Sequence, residues 1–255
     1  MIKHSPFYFG LFTPLLLLLY HTYIFLDCQL HFFDFGLPAP ICYTMAMEKQ
    51  VENKKNERRL TKKGKETRAR IIAAAAQLMF ERGVSGTSVE DVQNEAKVSA
   101  SQLYHYFKEK RELVKAVIVY QTEQVLNAQE PFLSHLDSME ALKSWRDAIV
   151  QLQIERQCQG GCPIGSLASE LSDTEPEART ELAAGFMKWE QSIRNGLQTM
   201  HARGELQAEA KPDDLALALL TALQGGLLLT QVYKETRPLK AGLDAMLAHI
   251  GTFTI

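Results

Sequence analysis

The sequence predicts an all-α protein, and three observations carry that expectation. Apolar residues from Ile71 onward recur at helical spacing, no stretch of any length alternates apolar and polar residues as a half-buried strand would, and helix-start signals stand at Thr87 and Ser99. With 255 residues, 46% of them apolar and 23% charged, the chain can pack one large domain or a small and a medium one. The expected division is an N-terminal three-helix unit followed by a larger helical unit.

Charge is divided along the chain. The formal net charge is only −2, yet residues 54–115 hold 15 Lys and Arg against 8 Asp and Glu, while residues 116–255 hold 11 against 18. A basic block followed by an acidic one marks a nucleic-acid footprint joined to a part that does not touch nucleic acid. The four cysteines, Cys28, Cys42, Cys158 and Cys162, are too few and too scattered for a disulfide scaffold, so a reducing cytoplasm is the expected compartment.

Residues 1–46 form an apolar extension that reads differently from the rest. Residues 1–45 hold 11 of the 20 Phe and Tyr, and Phe7 to Leu26 is nearly all apolar. A transmembrane helix needs about 20 apolar residues, but Pro14 and His21 interrupt this run. A secretory signal requires a small-residue cleavage site, and Leu26-Asp27-Cys28 is a poor one. The third reading is translation from Met45 or Met47, because the residues after Met47 have the composition of an ordinary soluble N-terminus. On that reading the extension is not part of the native product, and it is left out of the fold prediction.

Residues 47–66 are expected to form a flexible basic arm, with Lys54, Lys55, Arg58, Arg59, Lys62, Lys63 and Lys65 and few apolar anchors. Such an arm replaces counterions along a phosphate backbone or in a minor groove. In the first helix Ile71, Ile72, Ala75, Leu78 and Met79 mark one buried stripe, and Gly83 supplies the stop. A second helix opens with a capping box, Thr87-Ser-Val-Glu90, and turns Val89, Val92 and Ala96 inward. A second box, Ser99 to Gln102, opens a third helix after Lys97-Val98. Two short helices joined by about three residues make a helix-turn-helix spacing. With Leu103, Phe107 and Val98 packed inward, Ser101 and His105 point directly away from the core, flanked by Gln102 and Tyr104. That face suits base edges and thymine methyls in a major groove, and Lys108 and Lys110 follow where phosphates lie.

Residues 67–72, 78–83, 87–92 and above all Val98-Ser-Ala-Ser-Gln-Leu-Tyr-His-Tyr-Phe-Lys-Glu-Lys110 resemble the DNA-binding region of the TetR/AcrR family of bacterial regulators. The resemblance covers residues 67–115 in order and spacing. It implies an all-helical homodimer that reads a palindromic operator in double-stranded DNA, usually as a repressor released by a small-molecule effector. Carried over by position, Ala100, Ser101, Gln102, Tyr104 and His105 face bases, and Tyr106 and Lys110 hold phosphates with Thr87 and Ser88. Thr67 and Arg68, at the start of the resemblance, join this expected DNA-binding set. The family commonly has Gly where this chain has Lys97; if that turn needs a positive φ, Lys costs about 1 kcal/mol there.

Residues 116–255 are expected to form the ligand-sensing and dimerisation unit. A helix over residues 110–130 connects the two units and is closed or kinked by Pro131, and further helices are predicted near 138–157, 174–203, 213–234 and 239–250. Gly225-Gly226 in the apolar stretch from Asp213 to Val232, with Leu239, Leu243, Met246, Leu247 and Ile250, makes a two-helix surface able to pair with its copy; an intrachain core is the alternative. Cys162, with Cys158 as resolving partner, would sense oxidants or electrophiles if a helix N-terminus stabilised its thiolate; a small buried residue is the plainer alternative. Phe186, Met187, Trp189 and Met200 either line an apolar pocket or are core, and core is favoured for most. The sequence shows no phosphate-cradling glycine loop, metal set or nucleophile-base arrangement, so neither an enzyme nor a cofactor is expected.

Overall fold

The computed structural model describes residues 60–255, so the expectations for residues 1–46 and for the arm as far as Arg59 lie outside the described residues. Those residues form nine α-helices and one 3-10 turn, Phe132–His135, with no strand among them beyond a bridge between Leu206 and Thr254. The helices are α1 Lys62–Arg82, α2 Val89–Ala96, α3 Ala100–Tyr106, α4 Lys110–Asn127, α5 Met139–Glu155, α6 Pro163–Leu171, α7 Pro176–Ala202, α8 Pro212–Tyr233 and α9 Arg237–Gly251.

Two boundaries differ from the prediction for local reasons. Thr61 caps α1, its hydroxyl accepting from the Gly64 N–H at 3.1 Å, so Lys62, Lys63 and Lys65 ride on the first turns of a helix rather than on a flexible arm. The segment after Cys162 is helical as well. Pro163 at its first position and Leu171 near its end bound α6, a helix too short for periodicity to reveal.

The stripe predicted for α1 is buried, with Ile71, Ala75, Leu78 and Met79 inside. Arg70, on the same helix, donates from Nε to the Ala96 carbonyl at 2.9 Å, satisfying an orphan C=O at the end of α2. The remaining helices share one continuous core with these, in which Trp145 and Trp189 are among the largest fully buried side chains. Ion pairs from Arg111 to Glu175 (3.3 Å) and Lys115 to Glu177 (2.5 Å) join the first turns of α4 to the start of α7.

α8 and α9 pack as a hairpin. A Cβ on Gly226 would lie 2.9 Å from the Leu239 Cα, so this glycine is what lets the two backbones approach. The predicted apolar stripe on α9 therefore faces its own chain: Leu239, Leu243, Leu247 and Ile250 are buried against it, and Met246 is half-buried. The free apolar surface lies on α8 instead, where Leu217, Leu228, Leu229 and Val232 are exposed beside Thr221 and Gly225. By length and hydropathy alone α8 could span a membrane, yet it also buries Leu215, Leu219, Leu223 and Leu227 in the core.

Candidate nucleic-acid interface and sensor cavity

α3 buries only Leu103 along its length, and Phe107 anchors its far end. Ala100, Ser101, Gln102, Tyr104 and His105 are consequently exposed together, with Tyr104 52% accessible. The second capping box forms as predicted: Ser99 Oγ accepts from the Gln102 N–H at 3.2 Å, and Gln102 Oε1 accepts from the Ser99 N–H at 3.0 Å. His105 meets Tyr106 edge-on, with ring centroids 5.0 Å apart. Before the box, Lys97 occupies the left-handed region at φ 52°, ψ 51°, the positive φ that the family's usual glycine suggested.

The first capping box is shifted by one residue. Ser88, not Thr87, is the N-cap, because Thr87 is buried and its hydroxyl donates to the Gly83 carbonyl at 2.8 Å. Ser88 Oγ accepts from the Asp91 N–H at 3.0 Å, and Asp91 Oδ2 accepts from the Ser88 hydroxyl (2.6 Å) and N–H (2.8 Å). The Ser88 hydroxyl and backbone bonds, together with the Arg82 charge, outweigh desolvation and hold the Asp91 carboxyl below its usual range.

Several expected DNA contacts are placed differently. Thr67 is buried, donating to the Lys63 carbonyl at 2.9 Å, so neither it nor Thr87 offers its side chain to a phosphate. The Arg68 guanidinium lies over the Phe107 ring, 5.3 Å from the centroid. Lys108 is exposed, and its backbone N–H donates to Glu112 Oε2 at 2.8 Å. Lys110 is half-buried, and its ammonium donates to the Val84 carbonyl at 2.6 Å instead of standing free for phosphate.

That carbonyl belongs to a junction the sequence did not disclose. Glu170, near the end of α6, accepts from the Val84 N–H at 2.8 Å through Oε2, and from the Ser85 N–H and hydroxyl, both at 2.7 Å, through Oε1. Desolvation by itself would raise the Glu170 pKa. The bonds from Ser85 and Val84, with the Lys110 charge nearby, reverse this and hold the carboxyl below its usual range. Residues 85 positions apart in sequence leave no local signal of such a contact.

A cavity of about 120 Å3 lies in the larger unit. Gln121, Gln124 and Val125 of α4 wall it, with Ile149, Leu152 and Gln153 of α5, Trp189 of α7, Leu227 of α8, and the Gly161-Cys162 loop. Arg156 is its one charged lining residue and none is acidic, so the walls suit a small, largely apolar molecule and offer a cation no counter-charge. Trp189 is thus pocket wall and core at once; Met200 is core, and Met187 is 55% exposed. Gln157, Cys158, Gly160 and Gly161 all have positive φ in the loop leading to Cys162.

Cys158 and Cys162 are both buried free thiols. Burial pushes the Cys162 thiol up, and the backbone bonds from Gly165 and Ile164 at the start of α6, with the Gln224 side chain, act the other way without overcoming it. Among the described residues no group of His, Cys, Asp and Glu is arranged to hold a metal.

An exposed, twice-capped helix-turn-helix joined to a helical domain with its own cavity defines a DNA-binding transcriptional regulator. Residues 71–117 match the family profile of bacterial regulatory proteins of the tetR family, and residues 138–246 match the tetracyclin repressor-like C-terminal domain. A helix-turn-helix transcriptional regulator in the lacX 3' region of Lactococcus lactis subsp. lactis is 31% identical over 186 residues, 71% of this chain and 91% of that protein. The transcriptional repressor DhaR of Mycobacterium sp. strain GP1 is 27% identical over 68% of this chain and 86% of its own. A TetR transcriptional regulator from Chloroflexus aurantiacus superposes with a TM-score of 0.65 at 30% identity, covering 76% of this chain and 98% of the other. The chain belongs to the TetR family, whose members are transcriptional regulators and not enzymes.

Proposed function

We propose that this regulator is a cytoplasmic homodimeric repressor that leaves a palindromic operator when a small molecule enters the 120 Å3 cavity. The exposed face of Ser101, Gln102, Tyr104 and His105 on a helix whose one buried residue is Leu103 is the observation that carries the DNA-reading half. Gln102 already gives its Oε1 to the cap, so its amide NH2 is the group that meets a base. Lys108 stands for phosphate, and Ser88 fixes the start of α2. The reader extends from α1 to about residue 115, and the sensor follows.

Dimerisation runs through the outer face of α8, where Leu217, Leu228 and Val232 flank Gly225 on one exposed stripe. Two such readers sit about 34–36 Å apart, one turn of duplex, and a ligand that fits the other state better changes that spacing. Effector binding in the cavity has more support than cysteine modification, because both thiols are buried. The test is selection of duplexes from a random pool by the full chain at fixed salt. A recovered palindrome, lost when Tyr104 and His105 become Ala, supports the reading. Recovery of no preferred sequence leaves only a nonspecific basic binder and overturns it.

A further inference from the structure

We infer that Gln153 is the residue by which the cavity selects its ligand, and that this ligand is an uncharged molecule of about one ring whose polar head accepts a hydrogen bond. The inference deepens the small-molecule reading proposed above and rests on it. Ile149, Leu152 and Gln153 of α5, with Arg156 at its C-cap, follow i, i+3, i+4, i+7 spacing and line the cavity together. Ile149 and Leu152 are apolar and Arg156 is exposed, but Gln153 is a polar residue only 3% accessible. A long polar side chain is seldom taken out of water without a partner.

Gln153 lacks one. The Cys158 N–H donates to its backbone carbonyl at 2.8 Å, yet no group among the described residues bonds its side-chain amide. Gln129, a second buried glutamine on the same cavity, shows the structural use of such an amide. Its Oε1 accepts from the Trp145 indole N–H at 3.0 Å, and its Nε2 donates to the Val125 carbonyl at 2.8 Å. Trp189 also lines the cavity, and its buried indole N–H has no partner either. The Gln153 amide therefore ties no elements together, and its hydrogen-bonding capacity is left for the occupant of the cavity.

That capacity narrows the ligand. A primary amide carries two donor hydrogens and an indole N–H can only donate, so the complementary head carries an oxygen acceptor. A pure hydrocarbon would leave the amide unsatisfied, and an ammonium would meet no negative charge, since no wall residue is acidic. A carboxylate would have to leave water beside a neutral amide, while the one cationic wall residue, Arg156, is exposed. The cavity volume of about 120 Å3 sets the size. An apolar cavity of about 150 Å3 holds benzene, so one ring with one head is the scale that fits. Phenols, alcohols, ketones and carboxamides of that size make up the class.

The experiment is titration calorimetry on the full chain, without DNA, against phenol, toluene, benzoate and benzylammonium, which share a ring and differ in the head. Phenol should bind the wild type, with benzoate and benzylammonium at least tenfold weaker. Gln153→Met keeps the length of the side chain and loses the amide. It should weaken phenol about tenfold and leave toluene unchanged or tighter, a swing in preference that a merely structural loss would not produce. Gln153→Leu serves if the methionine variant does not fold. Variants that keep the wild-type ratio of phenol to toluene affinity would overturn the inference. So would benzoate binding most tightly and losing that advantage in Arg156→Ala, since the cavity would then be an anion site. Failure of all four probes to bind overturns it as well. Selection of duplexes by the unliganded chain is a separate reading: no preferred sequence there removes the regulator, while phenol held through Gln153 leaves the ligand site standing.

Discussion

At Lys97 a residue with a side chain adopts φ 52° and ψ 51° to make the turn between α2 and α3. The left-handed region costs a non-glycine residue roughly 1–2 kcal/mol. Lys97→Gly should therefore stabilise the fold by about 1 kcal/mol, raising Tm by about 2–4 °C in thermal denaturation, with operator preference unchanged. Lys108 is exposed directly after the α3 anchor Phe107. Lys108→Ala should weaken binding uniformly across sequences and reduce the salt slope of log K by about 1, measured by titration at several salt concentrations. Outward and inward positions on α3 were legible because a seven-residue helix with two anchors has one free face. Thr87 was misread because Thr87-Ser-Val-Glu90 and Ser88-Val-Glu-Asp91 are both capping sequences. Tertiary context chose between them by drawing the Thr87 hydroxyl to the Gly83 carbonyl.

Among elements, the long helices were legible because each buries a stripe at 3.6-residue spacing over several turns. α6 was not, since nine residues give too few turns for periodicity, and its helix-start signal is a Cys-Pro pair rather than Ser, Thr or Asp. The two glycines of the α8 pair play different parts: Gly226 meets α9 within the chain, while Gly225 has nothing within 4 Å. Gly226→Ala should push α9 away and destabilise the fold by about 1–3 kcal/mol in denaturant titration, whereas Gly225→Ala should leave monomer stability almost unchanged. α6 carries a pH signature as well. Because the folded Glu170 pKa is depressed, its contribution is fully present above the unfolded glutamate value near 4.3. It is lost as pH falls through the lower folded value. The difference in Tm between wild type and Glu170→Gln should therefore be constant near neutrality and shrink on acidification.

For the molecule as a whole, the basic block legible from charge counts overlaps the tetR-family match over residues 71–117, and the acidic block overlaps the C-terminal match over residues 138–246. The proposed pairing surface was only half legible, because hydropathy marks α8 and α9 alike and cannot say which apolar stripe the chain keeps for its own core. Leu228→Glu with Val232→Glu should give a folded monomer in analytical ultracentrifugation, and affinity for a palindromic site should fall far more than affinity for a half-site. The loop at Gly160 and Gly161, whose second glycine lines the cavity, has a longer-range consequence. Both glycines hold a positive φ, and a side chain on Gly160 would strike the Phe80 ring, so that stretch favours bare backbone. On the proposed reading of the cavity as the effector site, diversification of effector preference in descendants of this regulator is channelled into Ile149, Leu152 and Leu227, on helices outside the helix-turn-helix. Such a lineage can exchange the signal it answers to while keeping the operator it already recognises.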